Sequence, residues 1–125
     1  MPTDEERLKS AQLRLATPKA GDDVRAAAGR AQQAGKRSMN SSIKVKAEGP
    51  HHIDYSIRGP GGIVEQLAFS LSWEATGERT IVVTQVGNYL VARSKFFGIS
   101  YGPRKVPALR SFEQFGEWMR KELES

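Results

Sequence analysis

The stretch IVEQLAFSLSWEAT, residues 63–76, decides the fold. Ile63, Leu67, Phe69, Leu71 and Trp73 share one parity, while Gln66, Ser70, Ser72 and Glu74 occupy the other. A two-residue period of this kind belongs to a long strand with one face in a core and one in water. Working outward, Gly59-Pro60-Gly61-Gly62 is the strongest turn signal in the chain. Before it, Ile53, Tyr55 and Ile57 alternate with His52, Asp54, Ser56 and Arg58. Beyond the break at Gly49-Pro50, Ile43, Val45 and Ala47 alternate with Lys44, Lys46 and Glu48. These segments read as two further strands, each with one wet face.

On the other side, Thr76-Gly77-Glu78 turns the chain into a β-branched run from Thr80 to Val86. Gly87-Asn88 then admits two readings. It is either a two-residue hairpin turn or a bulge within one long strand, and the length of the preceding strand favours the bulge. Phe96 to Tyr101 adds a short last strand before Gly102-Pro103.

The chain closes with SFEQFGEWMRKEL, residues 111–123. Ser111 with Gln114 forms a capping-box pattern, and Phe112, Phe115, Trp118, Met119 and Leu123 fall on one broad helical face. Three aromatics on one stripe require burial, and the apolar side of the sheet is the available surface. The expected architecture is therefore α+β: a curved antiparallel sheet of four to six strands packed against a C-terminal amphipathic helix, preceded by a helical N-terminal extension.

All ten aromatic residues lie between Tyr55 and Trp118, and no isoleucine precedes Ile43. Aromatic and β-branched side chains supply most of a core's buried area. The expected compact domain is thus residues 43–125, with residues 1–42 as a partly mobile accessory. Within that accessory, Thr3 and Glu6 form a capping box that opens a helix carrying Leu8, Ala11 and Leu15 on one side. Thr17-Pro18 ends it. Asp22 or Asp23 caps a second helix, which runs through Val24, Ala27, Ala28, Ala31 and Ala34 to Gly35. Alanine favours helix but buries little, so its drive to dock is weak. Residues 35–42 read as a linker.

The chain has no cysteine, which removes disulfides, thiolate metal sites and thiol catalysis. Its N-terminus, MPTDEERLKS, has no apolar stretch of the signal-peptide kind, and no run reaches the roughly 18 apolar residues of a membrane span. The expectation is a cytoplasmic protein. Net charge is +5, and its distribution is uneven. No acidic residue lies between Glu78 and Glu113, whereas Arg79, Arg93, Lys95, Arg104, Lys105 and Arg110 are basic. Such a block attracts nucleic acid or another polyanion, and it also suits a solvated face.

Motifs of catalysis are weak. His51-His52 with Asp54 lacks a third converging ligand for a metal. The glycine-rich turn at 59–62 joins two strands, and Pro60 removes one of the N–H donors that an anion loop needs. Glu65 is the one acidic residue on the apolar parity of its strand, where burial would raise its pKa. No nucleophile elbow surrounds any serine. No cofactor is implied, and an enzyme is the least supported class.

The segment from Tyr89 to Arg110 carries a different composition. Tyr89, Phe96, Phe97 and Tyr101 are interleaved with Arg93, Lys95, Arg104 and Lys105, a mixture suited to stacking bases while neutralising phosphates.

Ile99-Ser100-Tyr101-Gly102-Pro103-Arg104-Lys105-Val106, followed by Phe112, Phe115 and Met119, resembles the tail of small bacterial START-like, helix-grip domains. The similarity spans residues 63–123 and rests on pattern. It implies a curved sheet gripping the last helix, with a groove between them for an apolar ligand. This chain departs from the pattern in its short sheet region and in lacking helices between the first strands. Two functional expectations stand together. One is a non-catalytic domain binding a small apolar ligand or a protein partner in a groove lined by Phe69, Leu71, Trp73, Phe115, Trp118 and Met119. The other is a nucleic-acid binder using Arg93, Lys95, Arg104 and Lys105, with Tyr89 or Phe96 stacking. A third expectation is an interaction scaffold acting through the N-terminal helices.

Overall fold

The structure is a computed structural model that describes residues 3–35, 42–59, 64–96 and 99–124, with side chains except at 35, 92–96 and 99–104. Its elements are α1 (Asp4–Ser10), β1 (Arg14–Thr17), α2 (Gly21–Gly35), β2 (Ser42–Glu48), β3 (His52–Arg58), β4 (Glu65–Thr76), β5 (Arg79–Tyr89), β6 (Ala92–Phe96), β7 (Ile99–Lys105) and α3 (Leu109–Glu124). Five strands form one antiparallel sheet in the order β1-β5-β4-β3-β2, and β6 and β7 pair separately as a two-stranded ribbon. The α+β class and the C-terminal helix are as the sequence predicts. Residues 60–62 of the turn read at 59–62, and residues 36–41 of the linker read at 35–42, lie outside the described residues.

The alternation read in the sequence holds where strands are central. Ile53, Tyr55 and Ile57 of β3 and Leu67, Phe69, Leu71 and Trp73 of β4 all face inward and are buried. The β4–β5 hairpin pairs Thr76 with Arg79 and turns at Gly77, whose φ of 64° is the left-handed conformation that glycine adopts without strain. At the other end of the hairpin, Leu67 pairs with Tyr89 and Phe69 with Val86, so one extra residue sits on β5. Gly87-Asn88 is therefore a bulge within a single strand. On the edge strand β2 the alternation fails. A register shift between Val45 and Ala47 inserts Lys46, and Val45 is left 41% exposed.

The N-terminal third is part of the core, which corrects its expected accessory role. The segment Arg14–Thr17 is a strand and not the end of the first helix. It pairs antiparallel with β5, setting Leu15 opposite Val82 and Thr17 opposite Thr80. The joint is sealed by two bonds at Thr84. Leu13 N–H donates to its hydroxyl at 2.7 Å, and its own N–H donates to Leu13 carbonyl at 2.9 Å. Leu8, Leu13, Leu15, Val24, Ala27, Ala28 and Ala31 are all buried in the one hydrophobic core. Alanine's small side chain, read as a weak reason to dock, lets α2 lie close against α3.

Both long helices cover the inner face of the sheet. Arg30 Nη2 meets Glu122 Oε2 at 2.8 Å, and Thr17 Oγ1 and Lys19 Nζ each donate at 3.0 Å to the carbonyls of Leu123 and Glu122. These side chains satisfy carbonyls that the end of a helix leaves without partners. The start of α3 also differs from the capping-box reading. The helix opens at Leu109, with Phe112 N–H donating to Ala108 carbonyl, so Ser111 lies inside its first turn. By contrast, Thr3 caps α1 as its spacing predicts, its hydroxyl accepting from Glu6 N–H.

Candidate functional site

Five of the six residues expected to line a sheet–helix groove are packed against one another. Phe69, Leu71, Trp73, Phe115 and Met119 are all at most 6% exposed. Phe69 meets Phe112 and Phe115 edge-on at 5.0 Å between centroids, and Tyr55 stacks on Phe69 at 5.0 Å. Each such ring pair contributes about 0.5–1.5 kcal/mol beyond its area burial. The space between sheet and helix is thus filled by side chains that hold the fold. Trp118 departs from the expected burial of all three helix aromatics. It is 37% exposed, with Lys121 Nζ 5.8 Å from its ring, and it edges a surface cleft with Ala31 and Ala34.

Trp73 closes one end of the core. The Arg25 guanidinium of α2 lies 5.0 Å over its ring and donates to Gly49 carbonyl at 2.7 Å. Arg25 thereby ties α2 to the β2–β3 turn, and Glu48 completes the arrangement at 3.5 Å. Burial pushes the nearby Tyr55 phenol well above the usual tyrosine range, with the charge of Glu48 acting in the same direction and Arg25 opposing it. A tyrosine so held stays neutral and belongs to the core.

Glu65 behaves in the opposite way to a buried acid. A register shift beside Arg58 gives β4 an extra residue at Gln66, which takes Glu65 off the inner parity. The Ser56 hydroxyl, and after it Lys46 with Nζ 3.1 Å from Oε1, hold its carboxyl below the usual carboxylate range. A carboxylate stabilised in its charged form is a poor general acid or base near neutral pH. His52 Nε2 stands 4.0 Å from Asp54 Oδ2, with both side chains exposed. Among the described residues no group of three or more histidines and acids is placed to hold a metal ion.

The outer face of the five-stranded sheet bears Ala68, Ser70, Ser72 and Gln85 together with the half-buried Ile81 and Val83, and has two shallow depressions of about 450 and 470 Å³. No helix of the described residues is long and apolar enough to cross a membrane.

The basic segment is where the fold adds most to the sequence. Arg93 and Lys95 stand on β6, and Arg104 and Lys105 on β7, so one antiparallel ribbon gathers all four. Its register pairs Ala92 with Lys105, Ser94 with Tyr101, Lys95 with Ser100 and Phe96 with Ile99. The single short strand expected from Phe96 to Tyr101 instead straddles the end of β6 and the start of β7, two antiparallel strands set apart from the main sheet. Lys105 is exposed, whereas the side chains of Arg93, Lys95, Phe96 and Arg104 lie outside the described set.

Tyr89 does not fit the stacking role assigned to it. Its ring packs against the core, and its hydroxyl donates to Glu5 Oε2 at 2.9 Å. Asp4 and Glu5 carry no functional signal in the sequence, yet each accepts a bond from the rest of the fold. Partners 84 and 102 residues away leave no local trace in a sequence.

Comparison with protein-family models, with curated proteins and with solved structures gives no match to this chain.

Proposed function

We propose that this chain is a non-catalytic, polyanion-binding domain that engages nucleic acid through the β6–β7 ribbon. One observation carries the reading: four of the six basic residues of a segment without any acid are collected on a two-stranded ribbon that, among the described residues, pairs with no strand of the main sheet. A two-stranded ribbon is narrow enough for the major groove of a duplex, and a row of basic residues on such an arm neutralises phosphates. The filled sheet–helix interface weighs against a ligand held there and moves the working surface to the exterior. The body beneath the ribbon then serves as a rigid mount.

The test is fluorescence anisotropy of labelled single- and double-stranded oligonucleotides at two salt concentrations. Four phosphate contacts predict an affinity loss of about 150-fold for duplex between 50 and 200 mM salt, and about 50-fold for single strands. Lys95→Glu with Arg104→Glu should abolish the salt-sensitive binding, while Lys121→Glu on α3 should leave it in place. Absence of binding at low salt refutes the reading.

A further inference from the structure

The ribbon leaves and rejoins the body at two points, and α1 bonds to both. On the outgoing side, Tyr89 is the last residue of β5, and its hydroxyl donates to Glu5 Oε2 at 2.9 Å. On the returning side, Val106 directly follows β7, and its N–H donates to Asp4 Oδ2 at 3.0 Å. Adjacent acids in the first turn of one short helix thus hold the two roots of the ribbon. The helix itself is anchored to the body. Leu8 is buried in the core, Arg7 Nη2 pairs with Glu113 of α3 at 2.9 Å, and Gly116 of α3 approaches Ala11 closely enough that a Cβ there would stand 3.5 Å from its carbonyl.

We propose that α1 is a clamp that fixes both roots of the β6–β7 ribbon, through Glu5 on Tyr89 and Asp4 on Val106, and so sets the direction in which the basic ribbon projects. The proposal rests on the polyanion-binding reading for its purpose, but the clamp itself is a mechanical property of the free protein. Among the described residues the ribbon pairs with no strand of the main sheet, so its orientation depends on what grips its ends. Charged acceptors suit this task, because hydrogen bonds to a carboxylate are about twice as strong as neutral ones. The same two acids would be unfavourable on the phosphate-facing part of the ribbon. At the roots they grip without reaching it.

The experiment is hydrogen exchange on the full chain without nucleic acid, comparing Asp4→Ala and Tyr89→Phe with the unaltered protein. Tyr89→Phe keeps the ring in its packing and removes only the donor. Both variants should speed exchange of the amides at 92–96 and 99–105 by about tenfold, the change that loss of one such bond corresponds to. The amides of β3 and β4 should be unaffected, and Glu6→Ala, in the same turn but exposed, should change neither set. Unchanged ribbon exchange in both variants overturns the clamp, as does an equal acceleration in β3 and β4. Oligonucleotide titrations of the same proteins keep the two readings apart. A loosened ribbon in a protein that binds no oligonucleotide supports the clamp and removes polyanion binding. Salt-sensitive binding with an unloosened ribbon does the reverse.

Discussion

Replacing Leu15 by alanine perturbs the joint between the N-terminal segment and the sheet at its most apolar point. Leu15 is 8% exposed and pairs with Val82, which is fully buried in the inner face of β5. The substitution deletes three carbon atoms, which at about 0.8 kcal/mol each amounts to about 2.4 kcal/mol of lost transfer free energy. The edge position of β1 lets neighbours relax in part, so the cavity contribution brings the cost to about 3 kcal/mol. With a urea m-value of about 2 kcal/mol/M, the midpoint should fall by about 1.5 M. Tryptophan fluorescence is the assay, because Trp73 and Trp118 both lie outside residues 1–42 and report on the sheet and on α3. If the N-terminal segment were an appendage, their transition would not move. A midpoint shift below about 0.25 M would refute the integration of β1 into the core. Thr84→Val addresses the same joint by a different route. It keeps the shape but leaves Leu13 N–H buried without its acceptor, at a cost of about 1–3 kcal/mol.

Two further outcomes are expected. Gly29 lies within α2, exposed, and a Cβ added there meets nothing within 4 Å, so Gly29→Ala should stabilise the protein by about 0.5–1 kcal/mol in the same urea assay. Glu65 has a folded-state pKa below its unfolded value, so its contribution is present above the unfolded pKa and is lost as pH falls through the folded one. Glu65→Gln should therefore be the less stable protein at neutral pH. It should also lose less stability than the unaltered chain between about pH 6 and pH 3, as measured by urea midpoints across that range.

The candidate surface was legible in the sequence as a composition and not as a shape. Arg93, Lys95, Arg104 and Lys105 stood out as charges in an acid-free window, yet Gly102-Pro103 read as the end of a strand when both residues lie within β7. Pairing is a non-local property, so a hairpin whose turn lacks a strong signal is hard to distinguish from one strand followed by a loop. Trp118 shows the same difficulty on a helix. Helical spacing grouped it with Phe112 and Phe115, but only the packing of α2 against α3 determines how wide the buried stripe is.

The sequence by itself determined the central hairpin, the inward residues of β3 and β4, the bulge preference at Gly87-Asn88, and an amphipathic last helix. Those follow from local periodicity and turn chemistry, where the physical cause lies within a few residues. Only the tertiary structure decided that Arg14–Thr17 is a strand, since four residues carry no usable period and their partner is β5, more than sixty positions away. It alone decided that α2 is a structural layer, because the burial of alanine depends on how closely another helix approaches. It alone decided that Asp4 and Glu5 grip the roots of the ribbon, because a hydrogen bond across the whole chain has no signature at either end.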